Sequence, residues 1–157
     1  MKQKIFTLLD ELNLEYTNYE HEPAFTCADA KGIEIPGKRV KSLLLKNKQK
    51  NKFFMVVIED HKRLDSNIIR KYFWENKISF VSEELMIEKI WVKPGHVSPF
   101  AMINNLEKDI TIVFDVSLKW TQIWLHPLQN DNTILIKIDD ILKFLEKIGS
   151  NYTFVEL

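Results

Sequence analysis

Two β-rich runs, residues 40–45 and 53–58, are separated by the polar stretch 46–52, a pattern that predicts paired strands joined by a basic loop. Further strand patterns lie at 16–20, 78–81, 110–114, 122–125, 133–138 and 153–155. Helical spacing appears in Ile5, Leu8, Leu9 and Leu12, ending near Leu14, and in Ile141, Phe144, Leu145 and Ile148, with Gly149 as the stop. Asp65 or Ser66 is expected to cap a helix with Ile69, Tyr72 and Phe73 as its buried stripe, and Ser82 to open one running to about Ile90. Thr26 with Asp29 predicts a short helix from Cys27 to Lys31 that Gly32 ends. The strand patterns crowd together late in the chain while helices separate the earlier ones, so the expectation is α+β with a mixed sheet, not a doubly wound fold. At 157 residues with 45% hydrophobic content, residues 1–157 are expected to form one domain.

Charge narrows the function. The chain is formally neutral, with 22 basic and 22 acidic side chains, which argues against coating nucleic acid or membrane by bulk charge. Residues 31–52, however, hold eight basic side chains (Lys31, Lys38, Arg39, Lys41, Lys46, Lys48, Lys50, Lys52) against Glu34 alone, a net +7 that leaves −7 elsewhere. Such clustering marks a polyanion touched on one face, or else a solvated hairpin whose charges discourage aggregation. Lys2 and Lys4 precede an apolar stretch, but Asp10 and Glu11 interrupt it too early for a secretory signal, and no run approaches a membrane span. A cytoplasmic protein is expected.

The residue types exclude several chemistries. The four glycines are too scattered for a dinucleotide or phosphate loop, and the four histidines stand thirty or more residues apart, without metal-ligand spacing. Neither a cofactor nor a metal is expected. The single cysteine, Cys27, lacks a pattern that would activate it, and Ser98 lacks a nucleophile elbow.

Three features keep a chemical reading. Lys41 shares a strand face with Leu43 and Leu45, whereas Ser42, Leu44 and Lys46 point the other way; its ammonium either snorkels to water or meets a negative charge. In Lys93-Pro94-Gly95-His96-Val97-Ser98-Pro99-Phe100, Pro94-Gly95 favours a type II turn and Pro99 drives Ser98 extended; the loop either fans backbone N–H groups toward an oxyanion or is a rigid connector. His126 ends a predicted strand, followed by Pro127, Asn130 and Thr133.

Taken in order, Lys41-Ser42-Leu43-Leu44-Leu45, the strand at 53–58, the loop from Pro94 to Phe100, Asp115, and the H-P-x-x-N-x-x-T segment at His126, Pro127, Asn130 and Thr133 resemble the free-standing YbaK/ProX-type aminoacyl-tRNA deacylases, related to the editing insertion of prolyl-tRNA synthetase. The loop is most similar to the branch that clears alanine from tRNA(Pro). His96 stands where Ser is frequent, and Ser42 where Asn is. The resemblance implies a mixed, curved, largely antiparallel sheet with helices packed around it, and hydrolysis of the ester joining a wrong amino acid to tRNA. It implies catalytic roles for Lys41, Gly95, Ser98, Pro99 and His126, and substrate contacts from Ser42, Leu43, His96, Val97, Phe100 and Asn130. Lys38, Arg39, Lys46, Lys48, Lys50 and Lys52 would meet the tRNA.

A second hydrolytic site makes physical sense, because a proline pocket rejects the smaller alanine by only about 1–3 kcal/mol. In the implied mechanism Lys41 meets a terminal phosphate or the ester oxygens as charge develops, the Gly95–Pro99 turn orients the acyl group, and the substrate's own ribose 2′-OH helps activate water. Mischarged tRNA is the expected partner, association with prolyl-tRNA synthetase or the elongation machinery is left open, and no membrane is expected. The alternatives are a deacylase for cysteinyl or another small aminoacyl group, a non-catalytic tRNA-binding module of the same fold, and a small-molecule binding protein.

Overall fold

A computed structural model describes residues 2–22 and 35–157. The short helix expected at Cys27 lies outside the described residues. The elements run α1 (Lys2–Glu11), β1 (Tyr16–Glu20), β2 (Lys38–Asn47), β3 (Phe53–Glu59), α2 (Ser66–Tyr72), β4 (Ile78–Phe80) and α3 (Glu83–Ile90), then a 3-10 segment (Pro99–Asn104) and β5 (Ile110–Asp115). A short 3-10 turn (Val116–Leu118), β6 (Gln122–Leu125), β7 (Asn132–Lys137), α4 (Ile138–Lys147) and β8 (Asn151–Val155) complete the order.

The strand pair expected from the sequence is the spine. β2 and β3 are antiparallel, from Val40 opposite Glu59 to Lys46 opposite Phe53. Asn47 closes the hairpin between them. Its buried side chain accepts from the N–H groups of Asn51 (3.1 Å) and Lys52 (3.2 Å), supplying the acceptor that this polar loop would otherwise lack. Around that pair the sheet runs β1-β7-β6-β2-β3-β5-β8, with β4 also on β2. Four of its seven strand pairings are antiparallel and three parallel, the mixed arrangement expected.

β3 is buried along both faces from Phe53 to Ile58, because each face of the sheet has its own core. Met55, Val57, Phe114, Phe100 and Phe144 belong to the larger one, with α1, α3 and α4 contributing Leu9, Ile90 and Ile141. Val56, Ile58, Leu45 and Val113 belong to the smaller, which Ile69 of α2 covers. Burying each such side chain stabilises the fold by about 1.5–3 kcal/mol.

Several expectations need adjustment. Ile138 opens α4 instead of ending β7, since at i, i+3 and i+7 it shares the buried stripe of Ile141 and Leu145. Tyr72 is half exposed and lies outside the buried stripe of α2, where Ile69 is the buried residue. β8 begins at Asn151, two residues before the expected start. The 3-10 segment after Ser98 has no counterpart among the expected elements. Two of the predicted caps lie among the described residues and are present: Asp65 accepts from the Asn67 N–H and Ser82 from the Leu85 N–H. No described helix is long and apolar enough to cross a membrane.

Candidate active site

One edge of β2 serves β3 along its length, and two different strands share the other. β6 runs parallel to its start, with Lys38 opposite Ile123 and Arg39 opposite Trp124. β4 runs antiparallel to its end, with Leu45 opposite Phe80 and Asn47 opposite Ile78, and the Val81 N–H donates to the Leu44 carbonyl at 3.0 Å. Between them the sheet splits. The Arg39 carbonyl accepts from the Asp60 N–H on the β3 side at 2.9 Å, so by alternation the backbone of residues 39, 41 and 43 turns to β3 and that of 40 and 42 turns to the split. Ser42 therefore offers its N–H and C=O to the gap, while its side chain lies on the face opposite Lys41.

Lys41 stands beside this gap. It pairs with Ile58 and shares the face of Leu43 and Leu45, as alternation predicts. Its side chain is half-buried, and among the described residues its ammonium has no hydrogen bond or ion pair. The other part-buried lysines differ. Lys38 bonds Glu59 at 2.6 Å and the Ser117 carbonyl at 3.3 Å, and Lys89 bonds Asp109 at 2.6 Å and Glu107 at 2.9 Å. Lys62 holds the buried carboxylate of Asp115. Arg39 lies over the Trp124 ring, 4.5 Å from its centre, on the same face as Lys41.

Carrying the β2–β6 register two residues beyond Arg39 and Trp124 sets Lys41 opposite His126. β6 stops at Leu125, so His126 stands where the two strands part. Its Nδ1 lies 3.1 Å from the Asn132 carbonyl. A carbonyl only accepts, so Nδ1 carries the proton and Nε2 keeps its lone pair. Burial pulls the ring's pKa below the usual 6.5, against the Asn132 bond, and the nearby charges of His21 and His96 add to the depression. The ring is neutral at pH 7, and its basic nitrogen has no hydrogen bond among the described residues.

Those neighbours matter. His96, from the loop after α3, and His21, at the end of β1, come near His126 although the sequence spreads them far apart. His21 Nε2 lies 2.8 Å from the buried Thr133 hydroxyl and its Nδ1 donates to the Glu22 carbonyl at 2.8 Å, which ties the chain leaving β1 to β7. Nothing in the spacing of His21 points to the site. No group of three or more His, Cys, Asp or Glu among the described residues has a metal-binding arrangement.

The loop before the 3-10 segment has the expected turn. The His96 N–H donates to the Lys93 carbonyl at 3.0 Å, and Gly95 has φ +87°, the conformation that position i+2 of a type II turn requires. Gly95 is exposed, with open space where a Cβ would stand. Ser98 is buried and its hydroxyl accepts from the Phe100 N–H at 3.2 Å, capping the 3-10 segment. Pro99 is buried, and the Phe100 ring lies in the larger core, 5.2 Å edge-on from Phe144. Phe100 therefore anchors the loop from inside; its ring has no surface to offer a substrate. Val97 packs partly on the same core, and Asn130 sits half-buried in the turn between β6 and β7.

The basic run divides. Lys38, Arg39 and Lys41 stand at the gap, whereas Lys46, Lys48, Lys50 and Lys52 lie at the far end of β2, about 17 Å or more away at the rise of an extended strand. Lys46 donates to the Ser79 hydroxyl at 3.0 Å, Lys52 faces Glu75 at 3.6 Å, and Lys48 and Lys50 are exposed. Asp115, part of the sequence resemblance, sits elsewhere: with Lys62, Ser117 and the Leu157 N–H it fastens the C-terminus.

The pattern that defines the aminoacyl-tRNA editing domain matches residues 21–144. The prolyl-tRNA editing protein ProX of Acetoanaerobium sticklandii is 28% identical, over 99% of this chain and 97% of that protein. The prolyl-tRNA synthetase associated domain-containing protein 1 of Danio rerio is 30% identical, over 94% and 82% respectively. Among solved structures, a candidate trans-editing enzyme for prolyl tRNA synthetase superposes with a TM-score of 0.70 at 15% identity, covering 99% of this chain and 96% of the other.

Proposed function

The chain belongs to the aminoacyl-tRNA editing domain family, and from that premise we propose that it hydrolyses the ester linking alanine to tRNA(Pro). It is an aminoacyl-tRNA deacylase; the amino acid, the tRNA and the residue roles are the proposal. The observation that carries it is the gap between β6 and β4, with a half-buried lysine lacking a partner among the described residues on one side and a neutral imidazole on the other.

In this reading the 3′ end of mischarged tRNA enters the gap with its ester between Lys41 and His126. A water, oriented by the terminal ribose 2′-OH, bonds to the acyl carbon and gives its proton to His126 Nε2. The ester C–O bond then breaks, and the 3′ oxygen leaves with that proton. Lys41 stabilises the negative charge that appears on the acyl oxygen in between. The Ser42 N–H, turned into the gap, and the Gly95 turn orient the acyl group, and Leu43 and His96 border it. Exclusion of larger side chains supplies the discrimination that a proline pocket lacks. Arg39, Lys48 and Lys50 contribute to holding the tRNA.

The test is release of labelled amino acid from tRNA(Pro) charged in turn with alanine, cysteine, serine and proline. Alanine is expected to leave fastest and proline to stay. Fastest release of cysteine would move the specificity to the other branch, and release of none would overturn the proposal.

A further inference from the structure

Phe80 is a large apolar side chain exposed at the rim of the gap. It ends β4 opposite Leu45, so its ring projects from the same face of the sheet as Leu45, Leu43 and Lys41, yet it is 63% exposed. Its backbone is fixed by that pairing and by the Val81 N–H bond to Leu44, at the rim of the gap opposite β6. Four residues along β2 separate its partner Leu45 from Lys41, about 13 Å at strand rise. On the neighbouring α2 Tyr72 is 50% exposed, and Trp74, just past its end, is 94% exposed. Tyr72 stands 4.9 Å edge-on from Phe73, which lies 4.4 Å from the core ring of Phe54, so this end of the surface has a rigid base.

The surroundings are basic on the side of α2 and the β2–β3 hairpin, while Glu83 and Glu84 open α3 just after β4. Residues 70–80 carry Arg70, Lys71 and Lys77 against one acid, Glu75, whose carboxylate already faces Lys52 and Asn47. The lysine-rich hairpin adjoins them. Exposed aromatic rings within a positive field suit an unpaired nucleic-acid strand, whose bases stack while its phosphates meet the cations.

We propose that Phe80, continued by Tyr72 and Trp74, is a stacking platform for unpaired nucleotides of the RNA strand whose 3′ end enters the gap beside Lys41. The inference rests on the deacylase reading and adds to it the path by which the strand arrives. Any aromatic ring serves at Phe80, because stacking does not distinguish the bases.

The experiment compares the wild type with Phe80→Ala, Phe80→Tyr and Trp74→Ala on two substrates. One is alanyl-tRNA(Pro); the other is 3′-O-alanyl-adenosine, which has the ester but no preceding nucleotides. Binding of uncharged tRNA is measured alongside. Phe80→Ala is expected to weaken tRNA binding about fivefold or more, to leave single-turnover hydrolysis at saturating tRNA unchanged, and to leave alanyl-adenosine hydrolysis unchanged. Phe80→Tyr should keep wild-type affinity, and Trp74→Ala, a change at a nearly fully exposed residue, should also weaken tRNA binding. Wild-type tRNA affinity in both alanine variants overturns the platform, as does an equal loss on tRNA and on alanyl-adenosine. A wild type that hydrolyses neither ester, with tRNA binding still weakened by Phe80→Ala, rejects the alanyl-tRNA(Pro) reading and leaves the platform standing.

Discussion

Lys41 and His126, 85 residues apart in the chain, fall opposite each other when the β2–β6 register is carried two residues past its last pair. They flank the point where the sheet opens. β6 has ended, β4 has not yet begun to pair, and the backbone of Ser42 turns toward the space between them. A strand that changes partner along one edge thereby leaves residues 40–43 between its two partners.

The imidazole sets a pH dependence. His126 binds its proton less readily when folded than when unfolded, because burial disfavours the cation. The unfolded chain therefore protonates first as pH falls, and this contribution to stability, full above 6.5, is lost as pH falls through the lower folded value. Thermal melting from pH 8 to pH 5 should show the decline, and His126→Asn should flatten it. The kcat/KM of the wild type should fall on the same acid side, as Nε2 loses its lone pair. A profile flat through this range would remove His126 as the base.

Two glycines with nearly the same φ should respond differently. Gly37 has φ +88°, and a Cβ there would stand 2.7 Å from Leu135 Cδ1 and 2.9 Å from the Gln122 carbonyl oxygen. Gly95 has φ +87° and open space. Gly95→Ala should cost about 1 kcal/mol of stability and Gly37→Ala about 3 kcal/mol, since only the second adds a collision to the strain. Urea unfolding of both variants measures this; equal costs would contradict it. Turnover by Gly95→Ala reports separately whether the turn orients substrate.

The hairpin lysines are expected to steer tRNA and not to do chemistry. Lys46 and Lys52 are engaged with Ser79 and Glu75, so Lys48 and Lys50 are the informative pair. Changing both to glutamine should lower the salt slope of tRNA binding by roughly 0.7–0.9 for each phosphate no longer neutralised, with hydrolysis at saturating tRNA unchanged. An unchanged slope would leave the hairpin charged for solubility alone.

Much of the fold and part of the site are legible in the chain because they rest on local rules. Alternation along β2 puts Lys41 on the face of Leu43 and Leu45, Pro94-Gly95 specifies the turn, and Asp65 and Ser82 specify two helix starts. What stays hidden depends on pairing between distant segments. No local pattern relates β2 to β6, so the opposition of Lys41 and His126 follows only from the assembled sheet, and the approach of His21 from β1 is of the same kind. Phe100 misleads for a related reason. The resemblance implies a substrate contact there, whereas the 3-10 segment capped by Ser98 turns its ring into the core. The apolar residues at 99–103 show no helical or strand period, so that segment leaves no signal. Tyr72 misleads in the opposite sense, since a spacing of three from Ile69 suggests burial.

Single-turnover hydrolysis of alanyl-tRNA(Pro) by Lys41→Ala is the most direct test of the proposed chemistry. The residue is half-buried beside the gap, and its ammonium has no partner among the described residues, so the variant should melt close to the wild type. Its hydrolysis at saturating tRNA should be at least about a hundredfold slower, because a charge positioned for the developing oxyanion is missing. Lys41→Arg should restore little, since a planar fork cannot take the place of a compact ammonium. A folded Lys41→Ala protein that releases alanine at the wild-type rate would contradict the role of Lys41 and the gap it borders.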